Sequence, residues 1–347
     1  PPLERVLSSP QTLAYRGRLS FRVAPRRKGA WLGFHAKKSP AELVAVDTCL
    51  LAPPRASELA RSFLSRLDSV TRRRSCPWPR RISVRGSLAR SEWLLVVHTP
   101  PGAFPEAKRA AQAEWAAQPD LVGVVRLCER AGRAPRSHKL AGAGRVVERI
   151  GSLDVPQTPT AFVQVHPAMA EQLYREIGRL LDGPPPVRRV LELYGGLGLV
   201  GLLAVDELAT APVEVLVVER DSSSVRLGRG LADSRRRGRA GGRDRMRFVA
   251  APVEQAVPKL LSRGEKFDRV VANPPRAGLG PGTAAAIAAL EPQVIVLVSC
   301  HPATLARDVA RLVSHGYEVS ECAAVDMFPQ TQHLEALARL VPRAVAR

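Results

Sequence analysis

From residue 190 onward the chain repeats one pattern: a short, uninterrupted apolar run, then a stretch of helical or loop character. The runs are VLELY (190–194), VEVLVVE (213–219), RFVA (247–250), RVVAN (269–273) and VIVLVSC (294–300). A strand that is apolar on both sides is covered on both faces, and strands separated by helices pair in parallel. The pattern therefore predicts an α/β domain with a parallel sheet between two helical layers. YEVSECAAVDMF (317–328) and HLEALARLV (333–341) close the chain and are expected to form an antiparallel hairpin on that sheet. Ahead of it, AFVQVHPAMAEQLYREIGRLL (161–181) leads into a Gly183-Pro184-Pro185-Pro186 break.

The first 150 residues follow a different grammar. LSFRVA (19–24), LVAVDTC (43–49), ISVRG (82–86), WLLVVH (93–98) and LVGVVRL (121–127) read as strands bounded by turns. SELARSFLSRLDSV (57–70) and PEAKRAAQAEWAAQ (105–118) read as helices, the first from Leu59, Phe63, Leu64 and Leu67 at helical spacing. This is an α+β arrangement. A length of 347 residues suits two domains, and the change of pattern sets them at 1–152 and 153–347. SRRRGRAGGRDR (234–245) is basic and rich in glycine, and is expected to be an exposed loop.

Lys and Arg number 52 against 32 Asp and Glu, a net charge of +20. Such an excess fits a polyanionic partner, nucleic acid first; biased coding toward Arg, Ala and Pro is the competing explanation. The five cysteines form no CxxC pair and are odd in number, which argues against a disulfide framework and for a reducing, cytoplasmic setting. No apolar run reaches the length of about 18 residues that a membrane helix needs, and no signal peptide is evident. The chain starts at Pro1, which reads as a sequence lacking an N-terminal piece.

Four segments carry chemistry. Tyr194-Gly195-Gly196-Leu197-Gly198 follows a strand, where glycines let a ligand approach the backbone and the next helix offers free N–H groups. Glu219 ends the following strand, where a carboxylate can accept hydrogen bonds from both hydroxyls of a ribose. Together they describe a nucleoside-cofactor site with spacing unlike GxGxxG. Asn273-Pro274-Pro275-Arg276-Ala277-Gly278-Leu279 also follows a strand, and its prolines stiffen a ledge against which a base can lie. Ser299-Cys300-His301-Pro302 places a cysteine between a strand end and a helix start, a position that favours a thiolate. In the final segment, His333 and Glu335 share one face of a strand, and Glu335 sits in an otherwise apolar run, as suits a general base.

Taken together, these segments resemble the RNA uracil-C5 methyltransferases, which make 5-methyluridine in tRNA and 23S rRNA. The family's SCNPATLARD reads Ser299 to Asp308 here with His301 inside it; its DPPRAGL reads Asn273 to Leu279; its DMFPxTxHxE spans Asp326 to Glu335; and its FxQVN reads Phe162-Val163-Gln164-Val165-His166. LAYRGRLSFRV, LGFHAKKS and VDTCLLAPP resemble the family's region ahead of the catalytic domain, so the likeness spans nearly the whole chain. It implies a Rossmann-like class I methyltransferase sheet behind an N-terminal α+β RNA-binding domain, with S-adenosylmethionine as cofactor. It implies Cys300 as nucleophile on uracil C6 and Glu335 as the base that removes the C5 proton. Gln164, Tyr194, Gly196, Gly198, Glu219 and Asn273 would line the cofactor and target pocket. RNA is the implied partner, 23S rRNA ahead of tRNA because the region around Cys49 is closer to the rRNA-directed members; no obligate protein partner is evident. Some relatives carry a four-cysteine iron–sulfur site. Cys49 matches only its last ligand, so neither a cluster nor any other metal is expected in this chain.

The departures are specific. Asn273 replaces an Asp, His301 an Asn, Leu199 an Asn, Gly195 a common Cys, and Pro252 a polar adenine contact. Two rival readings follow. Asn273-Pro274-Pro275 resembles the NPPY-type motif of amino-group methyltransferases, though Arg276 stands where those enzymes need an aromatic and they make no use of Cys300. Leu199, Pro252 and Asn273 also motivate a non-catalytic RNA-binding factor with a decayed cofactor pocket.

Overall fold

The computed structural model describes residues 3–27, 29–70, 78–205, 213–238 and 245–344. The apolar runs of the second half form the centre of an eight-stranded sheet. Its strands are β1 (Arg5–Leu7), β11 (Arg189–Leu193), β12 (Glu214–Glu219), β13 (Arg245–Ala250), β14 (Arg269–Ala272), β15 (Val294–Ser299), β16 (Tyr317–Val325) and β17 (Glu335–Pro342). They lie in the order β1-β16-β17-β15-β14-β11-β12-β13. β11 to β15 pair in parallel, and β17 enters antiparallel between β15 and β16. The chain moves outward from β11 to β12 and β13, then returns to β14 on the other side. The carboxyl ends of β11 and β14 thus frame the switch point at which open α/β sheets bind ligands.

Helices α3 (Pro167–Leu181), α4 (Ser222–Gly238), α5 (Val253–Ser262), α6 (Thr283–Ala289) and α7 (Pro302–Ser314) accompany this sheet, and α1 (Pro54–Val70) and α2 (Pro105–Ala117) belong to the other unit. A π-helical turn, Val200–Ala204, follows the glycine-rich segment. Leu191, Leu193, Val270, Ala272, Ile295, Leu297, Ala338 and Leu340 share one apolar cluster with residues of α5, α6 and α7. Because strand side chains alternate, the intervening positions face the opposite side of the sheet. Arg269 is fully buried there and donates to the carbonyls of Leu181, Gly183 and Pro185, which holds the proline break after α3 against β14.

The other unit is built on a seven-stranded sheet, β4-β3-β2-β5-β6-β7-β8. Here β2 is Arg18–Pro25, β3 Ala30–His35, β4 Leu43–Ala45, β5 Arg81–Ser87, β6 Glu92–Thr99, β7 Leu121–Arg130 and β8 Arg133–Gly142. β6 and β7 pair in parallel across helix α2 (Pro105–Ala117), and the remaining pairs are antiparallel. Leu59, Phe63, Leu64 and Leu67 of α1 (Pro54–Val70) join Ala107, Ala110 and Ala111 of α2 in the core on one face of this sheet. β9 (Val146–Ile150) and β10 (Leu153–Gln157) form a separate pair.

The division is not a single cut after residue 152. One unit comprises 1–10, 151–153 and 168–347, the other 11–150 and 154–167. β1 joins the first because it pairs with β16. The segment 154–167 joins the second because Gln157 donates to the Gly86 carbonyl and the Gly17 amide donates to Val165. The stretch expected to be a loop from 234 is helical as far as Gly238, and 239–244 lie outside the described residues. No helix among the described residues is long and apolar enough to cross a membrane.

Candidate active site

β11 runs straight into the glycine turn. Tyr194 takes a left-handed φ of 56°, and Gly196 and Gly198 follow at 56° and 73°. A side chain on Gly195 would meet Val217 at 2.5 Å, which accounts for glycine at this position. Gly196 has nothing within 4 Å of where a Cβ would stand, so its backbone faces open space. Its N–H donates to Glu219 Oε2 at 3.1 Å, and the Asp221 N–H donates to Glu219 Oε1 at 2.7 Å. The carboxylate at the end of β12 is therefore tied to the turn, and each of its oxygens retains accepting capacity for a further donor. The Tyr194 hydroxyl donates to Glu254 at 3.0 Å, and the Asn273 N–H donates to the Leu193 carbonyl across the switch point.

Two buried carboxyls, one next to the glycine turn and one behind the proline ledge, escaped the sequence reading. Glu192 is buried and accepts from the N–H groups of Gly201 (2.9 Å) and Val200 (3.4 Å), anchoring the π-helical turn. Burial pushes its pKa up to about 8 in spite of those donors. Asp308, also buried, accepts from the Leu279 N–H at 2.7 Å and from Arg307 and Arg311. Arg307 in turn donates to Ala277 O, and Thr304 to Arg276 O. The helix behind Cys300 is thereby stapled to the proline ledge. Gly278, at φ 80°, fits the staple because a Cβ would lie 2.2 Å from Asp308. Both carboxyls sit inside motifs dominated by other signals: Glu192 interrupts an apolar strand, and Asp308 reads as a surface helix residue.

Cys300 follows β15 directly, and α7 begins two residues later with Pro302 in its first turn. His301 caps that helix: its Nδ1 accepts from the Thr304 N–H at 3.3 Å. A side-chain acceptor at this position is the role an Asn plays at an N-cap, so the substitution keeps the cap. Antiparallel pairing sets Ser299 opposite Ala336, and Cys300 and Glu335 are the next residues of their chains beyond that last pair. Glu335 is 4% exposed, and its Oε2 has no hydrogen-bond partner. Desolvation pushes its pKa up to about 7, and nearby Arg276 offsets only part of that. Arg276 also approaches His333 at 3.3 Å. Tyr174 of α3 lies near enough to Glu192 and Glu335 that both carboxyls, after burial itself, hold its phenol above the usual range.

Glu219, Gly196, Gly198, Tyr194, Asn273, Cys300 and Glu335 thus gather at the ends of β11, β12, β14, β15 and β17. Gln164 belongs to the other unit, where it is buried in the segment carrying Val165 and His166. Among the described residues no group of three or more His, Cys, Asp or Glu is placed to hold a metal ion.

The chain has relatives among known proteins. The tRNA (Uracil-5-)-methyltransferase family model matches residues 261–341, the stretch that holds the ledge, Cys300 and Glu335. An uncharacterized RNA methyltransferase of Gloeobacter violaceus is 31% identical over 352 residues, covering 98% of this chain and 73% of the relative. The 23S rRNA (uracil(1939)-C(5))-methyltransferase RlmD of Nitrosospira multiformis is 30% identical over 344 residues, covering 97% and 73%. The crystal structure of Pyrococcus abyssi tRNA (uracil-54, C5)-methyltransferase, in complex with S-adenosyl-L-homocysteine, superposes with a TM-score of 0.71 at 23% identity over 97% of this chain and 78% of that one, which establishes the shared fold. By likeness along almost its entire length, the chain is a member of the RNA uracil-C5 methyltransferase family.

Proposed function

We propose that this protein methylates carbon 5 of a uridine in cytoplasmic RNA, with 23S rRNA as the substrate class, through a covalent bond between Cys300 and carbon 6 of the base. The observation that carries the reading is the placement of Cys300 and the buried Glu335, one of whose oxygens has no hydrogen-bond partner, just beyond the last pair of two neighbouring strands, in the sheet whose β11 ends in a glycine turn tied to an acidic strand end. The residues fit S-adenosylmethionine: Gly196 leaves open space above its backbone, and Glu219 is anchored with accepting capacity to spare for ribose hydroxyls. Bound there, S-adenosylmethionine supplies an electrophilic methyl group.

The chain's own groups supply the rest. Carbon 5 of uracil is a weak nucleophile. Addition of the Cys300 sulfur to carbon 6 moves the ring's electrons into an enolate and makes carbon 5 nucleophilic. Once carbon 5 carries its methyl group, the Glu335 carboxylate takes the remaining C5 proton. The carbon–sulfur bond then breaks, restoring the double bond and the thiolate. A base deep in an RNA stack cannot reach this pair, so the target uridine must be extruded against the Pro274–Pro275 ledge. Cys300→Ala is expected to abolish methyl transfer to RNA while S-adenosylmethionine binding, measured by calorimetry, is unchanged. Turnover at the parental rate in that variant rules the covalent route out.

A further inference from the structure

The face of the seven-stranded sheet opposite α1 and α2 carries an unbalanced set of charges. Leu19, Phe21, Ile82, Val84 and Val97 point into the helical core. Their neighbours in sequence therefore face the other way. Register places Arg18 beside Arg85, Ser20 beside Ser83, and Arg22 beside Arg81, with His98 next to Arg81. Ser20 and Ser83 share a hydrogen bond of 2.7 Å, and Ser83 is 2.9 Å from His98. The two hydroxyls thus sit between two pairs of guanidiniums.

Among the described residues, one carboxylate answers them. Glu129 binds Arg81 and His98 through the same oxygen. Arg85 is buried and is used structurally, donating to the carbonyls of Pro159 and Ala161. Arg22 donates to His35 at the rim. Arg18 is half-buried and has neither a carboxylate nor any side-chain hydrogen-bond partner among the described residues, and the Arg81 Nε is buried without one. Burial and the neighbouring Arg81 both lower the Arg18 pKa, so its charge is held at a cost. His98, its pKa lowered to about 4, adds no charge near neutrality. A desolvated guanidinium beside two others, with hydroxyl donors between them, lacks one thing: an anion with several acceptor oxygens.

We propose that Arg18, Arg81 and Ser20, over a floor formed by Arg85 and Ser83, make a socket for one backbone phosphate of the RNA substrate. The site rests on the functional reading above and deepens it, since it assigns a position on this chain that fixes the register of the strand without reading its bases. Arg22 extends the socket toward solvent and steers the phosphate into it.

The test uses the full chain and a fluorescein-labelled RNA stem-loop with an unpaired uridine, followed by anisotropy across a salt series. Arg18→Gln is expected to weaken binding about tenfold at low salt and to reduce the slope of log affinity against log salt by about 1. Ser20→Asp places a carboxylate in the socket. It is expected to lose RNA affinity to the same degree while its melting temperature holds or rises, because Arg18 gains the partner it lacks. S-adenosylmethionine affinity stays unchanged in both. Ser20→Asp binding RNA with parental affinity and salt slope overturns the socket. A parental chain that shows this salt dependence but transfers no methyl group supports the socket and overturns the functional reading instead.

Discussion

Replacing Glu335 by Gln should make the protein more stable and leave it inactive, and the gain should depend on pH. The carboxyl is 4% exposed with one oxygen unpartnered, and its pKa stands at about 7 against an ordinary 4.5. Each pKa unit is worth about 1.4 kcal/mol, so ionising this group in the folded chain costs about 3 kcal/mol more than in the unfolded one. The folded state holds the proton more tightly. Stability is therefore full below pH 4.5, falls as pH rises toward 7, and stays low above it. Gln has nothing to ionise. The variant should lie within about 1 kcal/mol of the parent at pH 5 and exceed it at pH 8.5 by up to about 3 kcal/mol, a rise of roughly 5–10 °C in melting temperature for a unit of this size. Glu192 ionises in both proteins and cancels from the comparison. Thermal unfolding at the two pH values measures the difference directly. Equal melting temperatures at pH 8.5, or a Gln variant that is the less stable there, would refute the claim that this carboxylate is buried without compensation.

Two further outcomes follow from the ties around Cys300. Asp308→Ala removes the acceptor for the Leu279 N–H and leaves that amide buried and unpaired, so it should cost about 2 kcal/mol and abolish hydrogen-exchange protection at Leu279; unchanged protection there would mean the ledge is held by other bonds. His301→Ala should lose about 1 kcal/mol of stability through the missing helix cap, and His301→Asn should recover it, both read by denaturant unfolding.

The parts of the fold set by local pattern were legible. Apolar runs flanked by helical stretches announced β11, β12, β14 and β15, and the two segments that close the chain were expected to form the hairpin seen as β16 and β17. Pairings between distant segments were not. The strand β1 is three residues long and joins the sheet only through β16, far along the chain. β8, sequence RAPRSHKLAG, lacks the apolar signature because its place depends on β7 and not on its own composition. The site divides in the same way. Cys300 and Glu335 stood out by type and position. The roles of Glu192, Asp308, Arg269 and Tyr174 depend on groups that come from elsewhere in the chain, and no spacing rule reveals them. His301 shows the reverse case, a departure in sequence that keeps its job in the structure because an imidazole nitrogen caps a helix as an amide oxygen does.

The insertion of β17 between β15 and β16 has a consequence for how the protein tolerates change. Cys300 and Glu335 stand at the ends of strands running in opposite directions, so a shift of β17 by a single residue would turn Glu335 to the opposite face of the sheet, toward α7. Lengthening the connection at 326–334 is a mild perturbation by comparison. A chain ending before residue 335 would leave β15 and β16 with bare edges, ready to pair with other molecules. Truncation there yields an aggregating species and not a weaker enzyme, so the last strand of the sheet guards solubility and chemistry together.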